Sequence, residues 1–181
     1  MEYKLRISGI EPESIVDGKG FRYVVFTQGC PHNCPGCHNP QTHPFSGGRA
    51  ADIRDLFAQA CQDPLLRGVT FSGGEPFCQP APLAALARLA HGRGWDVTAY
   101  TGYLYEDLLA MHQPDTDDLL AQTDILIDGP FILAQRDLTL RFRGSRNQRV
   151  INMAETRRCG RIVLDEAQES PAGGARPGGS L

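Results

Sequence analysis

From residue 23 onward the chain alternates short β-rich runs with longer runs at helical spacing, and this alternation leaves few folds open. Residues 23–27, YVVFT, read as a buried strand. Ile53, Leu56, Phe57, Ala60 and Cys61 then recur at helical spacing, which puts Cys61 on a core face. Residues 68–71 give a second strand. Pro82 stands where a first helical turn accepts proline, ahead of an apolar stripe through Leu83, Leu86, Ala87 and Ala90. The pattern continues with a strand at 95–100, a helix marked by Leu104, Leu108 and Met111, and a shorter helix at Leu119 and Leu120. Strands follow at 124–127, 149–151 and 161–164. Such alternation implies βαβ units. Six strands in 181 residues fall short of a closed barrel, which takes eight strands and roughly 200 residues. The expected fold class is therefore α/β, a partial, open (β/α)6-type barrel with mostly parallel strands. One domain is expected over 1–166, followed by a Gly/Pro-rich tail over 167–181 whose composition predicts disorder.

Composition narrows the function classes. Residues 1–6 carry charges where a secretory segment needs an apolar run, and no stretch approaches the roughly 20 apolar residues of a membrane span. Six cysteines without an export signal suit a reducing compartment, so a soluble, cytoplasmic protein is expected. A net charge of −3 gives no reason to expect nucleic acid. Charge is uneven, however: Arg136, Arg141, Arg143, Arg146, Arg149, Arg157, Arg158 and Arg161 face only Asp137 and Glu155 between Gly129 and Arg161. This reads first as a solvated surface and second as a docking face for an acidic partner.

Three of the cysteines, Cys30, Cys34 and Cys37, stand four and then three residues apart directly after the first strand. Pro31 and Pro35 remove backbone donors and Gly36 disfavours helix, so the segment is a loop, able to wrap a metal cluster. An iron–sulfur cube normally takes four thiolates, so a trio leaves one iron open to a ligand that is not protein. Two other readings use the same residues. Cys34-Pro35-Gly36-Cys37 is half of a zinc site that His32, His38 or His43 could complete, although no second C-x-x-C exists. It is also a thioredoxin-like pair, which would leave Cys30 idle.

The unusual residues share one location. Cys30 follows the first strand, Ser72-Gly73-Gly74-Glu75-Pro76 the second, and Thr101-Gly102-Tyr103 and Asp128-Gly129-Pro130-Phe131 later ones. Ligands of parallel α/β folds bind at this carboxyl rim, so these loops should form one site. Gly73 and Gly74 let a ligand approach the main chain, although a plain strand-to-helix turn needs the same residues. Glu75 and Asp128 are the rim carboxylates; each could bind an ammonium or ribose hydroxyl, or cap a helix.

CxxxCxxC after a first strand with SGGEP after the second resembles the radical S-adenosylmethionine (SAM) superfamily. SIVDGKGFR, YVVFTQGCPHNCPGCHNP, SGGEPF, YTGY, DGPF and RGSRNQRVIN, spread over about residues 14–152, resemble activating enzymes of anaerobic ribonucleoside-triphosphate reductase. The resemblance implies a 4Fe-4S cluster on Cys30, Cys34 and Cys37, with the amine and carboxylate of SAM on the fourth iron. Reductive cleavage of SAM would give a 5′-deoxyadenosyl radical that takes hydrogen from a glycine of the reductase. The backbone near Gly73, Gly74 and Glu75 would hold the SAM amine, Gly36 and His38 would flank its adenine side, Cys37 would also contact SAM, and Tyr100, Thr101, Asp128 and Arg143 would complete the site. Flavodoxin or a similar low-potential donor is implied, with the arginine-rich third as its candidate docking face. Activation of another glycyl radical enzyme, or small-molecule radical chemistry, is the alternative, and a zinc-stabilised binding module comes third. Lys19 departs from a proline frequent in the family. Cys78 and Cys159 read as a filler thiol and a surface turn, and His32 and His43 as solvent-facing loop residues.

Overall fold

The structure, a computed structural model, describes residues 4–165, so the tail at 167–181 lies outside the described residues. Seven strands form one unclosed sheet: β1 (Lys4–Ser14), β2 (Phe21–Thr27), β3 (Arg49–Asp52), β4 (Leu66–Gly73), β5 (Asp96–Tyr100), β6 (Ile125–Asp128) and β7 (Arg149–Asn152). Their order is β3-β1-β2-β4-β5-β6-β7. β2, β4, β5 and β6 pair in parallel, while β1 runs antiparallel to β2 and β3, and β7 antiparallel to β6. Five strands thus share one direction, as the partial-barrel expectation requires.

The parallel strands are joined by helices: α1 (Ile53–Ala60), α2 (Pro80–Gly92), α3 (Tyr105–Ala110) and α4 (Pro114–Gln122), with α5 (Met153–Cys159) following β7. Local chemistry sets several starts. Asp52 accepts the Arg54 amide at the head of α1, and Asn152 accepts the Glu155 amide at the head of α5. Tyr23, Val25, Val69, Phe71, Val97, Ala99 and Leu126 point to the helical side, where they pack with Leu83, Leu86, Ala87 and Leu119 in the core. Alternation along each strand sends the next residues to the opposite face.

That opposite face carries a buried cation. Arg22, 0% exposed, donates from Nε to Thr70 Oγ1 (3.1 Å) and from Nη2 to Thr98 Oγ1 (3.1 Å) and the Val69 carbonyl (2.7 Å), and pairs with Asp96. It also reaches the Lys19 carbonyl, and Thr70 Oγ1 donates to the Asp17 carbonyl at 2.8 Å. These bonds strap residues 17–19 across the sheet.

Two expectations need correction. Residues 161–164 are not a strand: Leu164 makes only an isolated bridge to Ile151. The segment lies along β7 through Asn152 N–H to the Val163 carbonyl (2.9 Å) and Asp165 N–H to the Val150 carbonyl (2.8 Å). Cys159 is not in a turn; it ends α5, and Gly160 follows at φ +64° in the left-handed region. β1, β3 and α5 are additions to the elements read from the sequence. Among the described residues no helix is long and apolar enough to cross a membrane.

Candidate functional site

The carboxyl ends of β2, β4, β5 and β6 open onto a cavity of about 700 Å³. Cys30, Cys34 and Cys37, all free and half-buried, line it together with Gly73, Gly74, Tyr100, Thr101, His38 and Arg143. Nine of the twelve residues singled out from the sequence therefore face one space. Gly36, Glu75 and Asp128 do not line it, and each has a visible structural task.

Gly36 adopts φ +73°, and a Cβ there would meet Leu133 Cδ1 at 2.9 Å, so the turn between Cys34 and Cys37 admits only glycine without rearrangement. The turn is closed by Cys37 N–H donating to the Cys34 carbonyl at 3.1 Å. Cys30 is held from its backbone, which donates to the His43 carbonyl at 3.0 Å. Burial, ahead of the nearby Glu75 charge, raises the Cys30 thiol above its ordinary pKa. A metal that binds there releases that proton.

Opposite the cysteines, β4 ends in backbone with no side chain. Gly73 adopts φ +87°, and a Cβ on Gly74 would lie 2.5 Å from the Gly29 carbonyl oxygen. The Gly74 and Glu75 amides donate to the Thr27 and Gly29 carbonyls at 2.9 and 2.8 Å, which stitches this loop to the start of the cysteine loop. The Glu75 side chain is 0% exposed, and its carboxylate accepts from Phe77 N–H, Thr101 Oγ1, Gly102 N–H and His32 Nε2. Asp128, also buried, accepts the Tyr105 amide (2.8 Å) at the head of α3 and pairs with Arg149, which reaches on to Glu106. Both carboxylates thus cap a turn or helix, and each also holds a distant side chain, His32 for Glu75 and Arg149 for Asp128.

Further walls come from residues that single-position reasoning passed over. Tyr100, whose hydroxyl is pushed well above its usual pKa by burial, donates to the Phe142 carbonyl. Phe142 and Gln148 line the cavity, and Gln148 Oε1 accepts the Gly144 and Ser145 amides. Ile15, Val16 and Asp17 enter from the strap. SIVDGKGFR and RGSRNQRVIN contain Ile15, Val16, Asp17 and Gln148 but stop short of Phe142, and no period or spacing marks any of these individually. His32 and His43 also line the cavity rather than facing solvent, as had been expected of them. Cys78 is exposed and outside the lining, and Cys61 packs half-buried against the core.

The donor set fits a cluster. Thiolates are the ligands of iron–sulfur centres, and here three from one loop share a roomy space with side-chain-free backbone. Residues 16–151 match the family model of the 4Fe-4S single cluster domain, which fixes the class of protein. An anaerobic ribonucleoside-triphosphate reductase-activating protein from Vibrio cholerae is 35% identical over 146 residues, 76% of this chain and 91% of its own. The Escherichia coli K12 protein of the same name is 33% identical over 151 residues, 76% and 92% of the two chains. The chain belongs to the family of anaerobic ribonucleoside-triphosphate reductase-activating proteins. A pyruvate formate-lyase-activating enzyme from Clostridium pasteurianum is 35% identical over 128 residues, 67% of this chain but 50% of that one. Among solved structures, QueE from Escherichia coli overlaps 56% of this chain and 54% of its own, at a TM-score of 0.44 and 21% identity.

Proposed function

We propose that this protein activates an anaerobic ribonucleoside-triphosphate reductase, and that Cys30, Cys34 and Cys37 hold a 4Fe-4S cluster whose fourth iron takes SAM. The observation that carries the reading is the placement of three loop thiols and the Gly73–Gly74 backbone on one cavity at the carboxyl rim. When bound, the pair supplies one-electron reductive cleavage of the sulfonium, and the outcome is a glycyl radical on the reductase.

The chain's own residues supply placement. An ammonium is a donor and needs acceptors, so carbonyls of the side-chain-free floor at Gly73 and Gly74, just ahead of Glu75, suit the methionyl amine. His38, whose ring lies 5.2 Å from that of Phe131, suits the adenine side next to Gly36 and Cys37. Tyr100 and Arg143 fix the opposite wall through Phe142 and the Gln148 carbonyl, and Thr101 fixes the floor through Glu75. Asp128 acts from behind, holding α3 and Arg149.

Flavodoxin or a similar low-potential carrier is the donor class this chemistry requires, and a reducing cytoplasm suits it. The arginines give its docking little support. Arg157 donates to the Leu120 and Thr123 carbonyls, Arg158 pairs with Glu155, and Arg146 pairs with Asp137. A second reading, activation of a pyruvate formate-lyase-type enzyme, is favoured by the 35% identity to that activase.

One experiment decides among these. Anaerobically reconstituted protein, reduced and given SAM, is mixed with either partner enzyme, and the glycyl doublet is read by electron paramagnetic resonance. A doublet on the reductase is expected; a doublet only on the lyase selects the second reading, and a protein that takes up zinc but no sulfide ends both.

A further inference from the structure

Between Cys30 and Cys37 the loop has little to hold it. Pro31 and Pro35 have no N–H, and apart from the Cys37 N–H to Cys34 carbonyl bond inside the loop, the hydrogen bond that ties positions 31–36 to other described parts of the protein runs from His32 Nε2 to Glu75 Oε2 at 2.7 Å. The carboxylate can only accept, and it already takes Thr101 Oγ1 (3.1 Å) and Gly102 N–H (2.9 Å) on the same oxygen, so His32 is the donor. The imidazole is gripped on two more sides. Its edge meets Tyr103 with ring centroids 4.4 Å apart, and a Cβ on Gly102 would come within 2.4 Å of it.

Capping the 3-10 turn Pro76–Cys78 accounts for one Glu75 oxygen, which accepts Phe77 N–H at 3.0 Å. It does not account for the other. That oxygen joins the loop after β2, through His32, to the loop after β5, through Thr101 and Gly102, while the Glu75 amide is tied to Gly29. A buried carboxylate is stable only when its acceptor sites are filled, so all four donors are drawn to one point.

We propose that Glu75 is a positioning residue for SAM activation: its side chain does not touch SAM, but through His32 it sets the cysteine loop at a fixed place above the Gly73–Gly74 floor. This rests on the function proposed above, yet its first test does not. In the cluster-free full-length protein, peptide-resolved alkylation rates of Cys30, Cys34 and Cys159 are compared for wild type, H32A, E75Q and the double variant. Loss of a charge-assisted hydrogen bond should speed Cys30 and Cys34 by about tenfold in H32A. Cys159, at the far end of α5, should not change, and the double variant should be no faster than H32A. Unchanged Cys30 and Cys34 rates in H32A, or equal acceleration of Cys159, overturn the proposal.

The second test measures SAM dissociation constants on cluster-loaded protein. Both H32A and E75Q should weaken SAM by similar factors. A loss confined to E75Q makes the carboxylate a direct ligand and overturns the proposal. If wild type loads a cluster and binds no SAM, the functional reading fails, and the alkylation rates still decide whether Glu75 positions the loop.

Discussion

The hydroxyl of Tyr100, at the end of β5, donates to the carbonyl of Phe142, a residue held at φ +62°. An aromatic residue in the left-handed region is costly, by about 1–3 kcal/mol, and persists only where its surroundings hold it. Removing the donor in Y100F should therefore loosen the 140–144 wall. We expect a loss of about 1 kcal/mol, read as a fall of about 2–4 °C in melting temperature, together with severalfold weaker SAM binding by titration calorimetry. An unchanged dissociation constant would separate this wall from the cofactor.

Cys34 and Cys78 should behave oppositely. C34A leaves two thiols on the cavity, and iron and sulfide content after anaerobic reconstitution should fall to background. C78S alters an exposed position outside the lining and should load as wild type does. Iron loss in C78S comparable to that in C34A would make Cys78 a ligand.

Arg22 should matter more than its partner. R22M removes the guanidinium that fills the donor needs of Thr70, Thr98 and the Val69 carbonyl in a 0% exposed site. About 3–5 kcal/mol should be lost in urea unfolding. D96N keeps these bonds and alters a carboxylate that is 49% exposed, but it takes the counter-charge from a buried guanidinium, so its cost should be smaller than that of R22M at about 1–3 kcal/mol.

Two glycines invite alanine with opposite results. Gly74 has the Gly29 carbonyl where a Cβ would go, so G74A must push the cysteine loop away and reduce cluster loading. Gly92, the last residue of α2, has nothing within 4 Å of that position, and G92A should stabilise by about 0.4–1 kcal/mol. Circular dichroism melts and iron analysis distinguish the two.

Acid should weaken the fold through its arginine-paired carboxylates. Hydrogen bonds from Arg149 lower the pKa of Glu106, those from Arg158 lower that of Glu155, and the Thr139 and Arg146 contacts bring Asp137 to about 2. In each case the unfolded chain binds the proton more readily, so the stabilisation is complete above the ordinary carboxylate range near about 4 and disappears as pH falls through the lowered folded values. Urea midpoints should be level between neutral pH and about pH 5 and decline below about pH 4. A midpoint that rises on acidification would contradict these pairings.

The parallel core was legible because its strands are short apolar runs between helical stripes, a pattern confined to a few consecutive residues. The cysteine trio was legible for the same reason. β1 was not, since the alternation of Lys4-Leu5-Arg6-Ile7 is interrupted by Gly9 and Pro12, and its partners fix it instead. Residues 161–164 looked like a strand because Ile162, Val163 and Leu164 are apolar, but they contribute a bridge rather than a ladder. His32 was read as a loop residue because its partner lies 43 positions away, and Asp128 gave no sign of Arg149, 21 positions on. Side-chain roles that depend on distant loops meeting leave no local period to read.

The residues beside β7 also govern how the molecule meets its neighbours. A final strand with bare amides and carbonyls is a template on which another chain can add. Here the carbonyl of Val163 and the amide of Asp165 occupy groups of Asn152 and Val150, so the β7 margin of the sheet is sealed by the chain itself. Cutting the polypeptide after Gly160 would unseal it, and self-association through strand addition would follow.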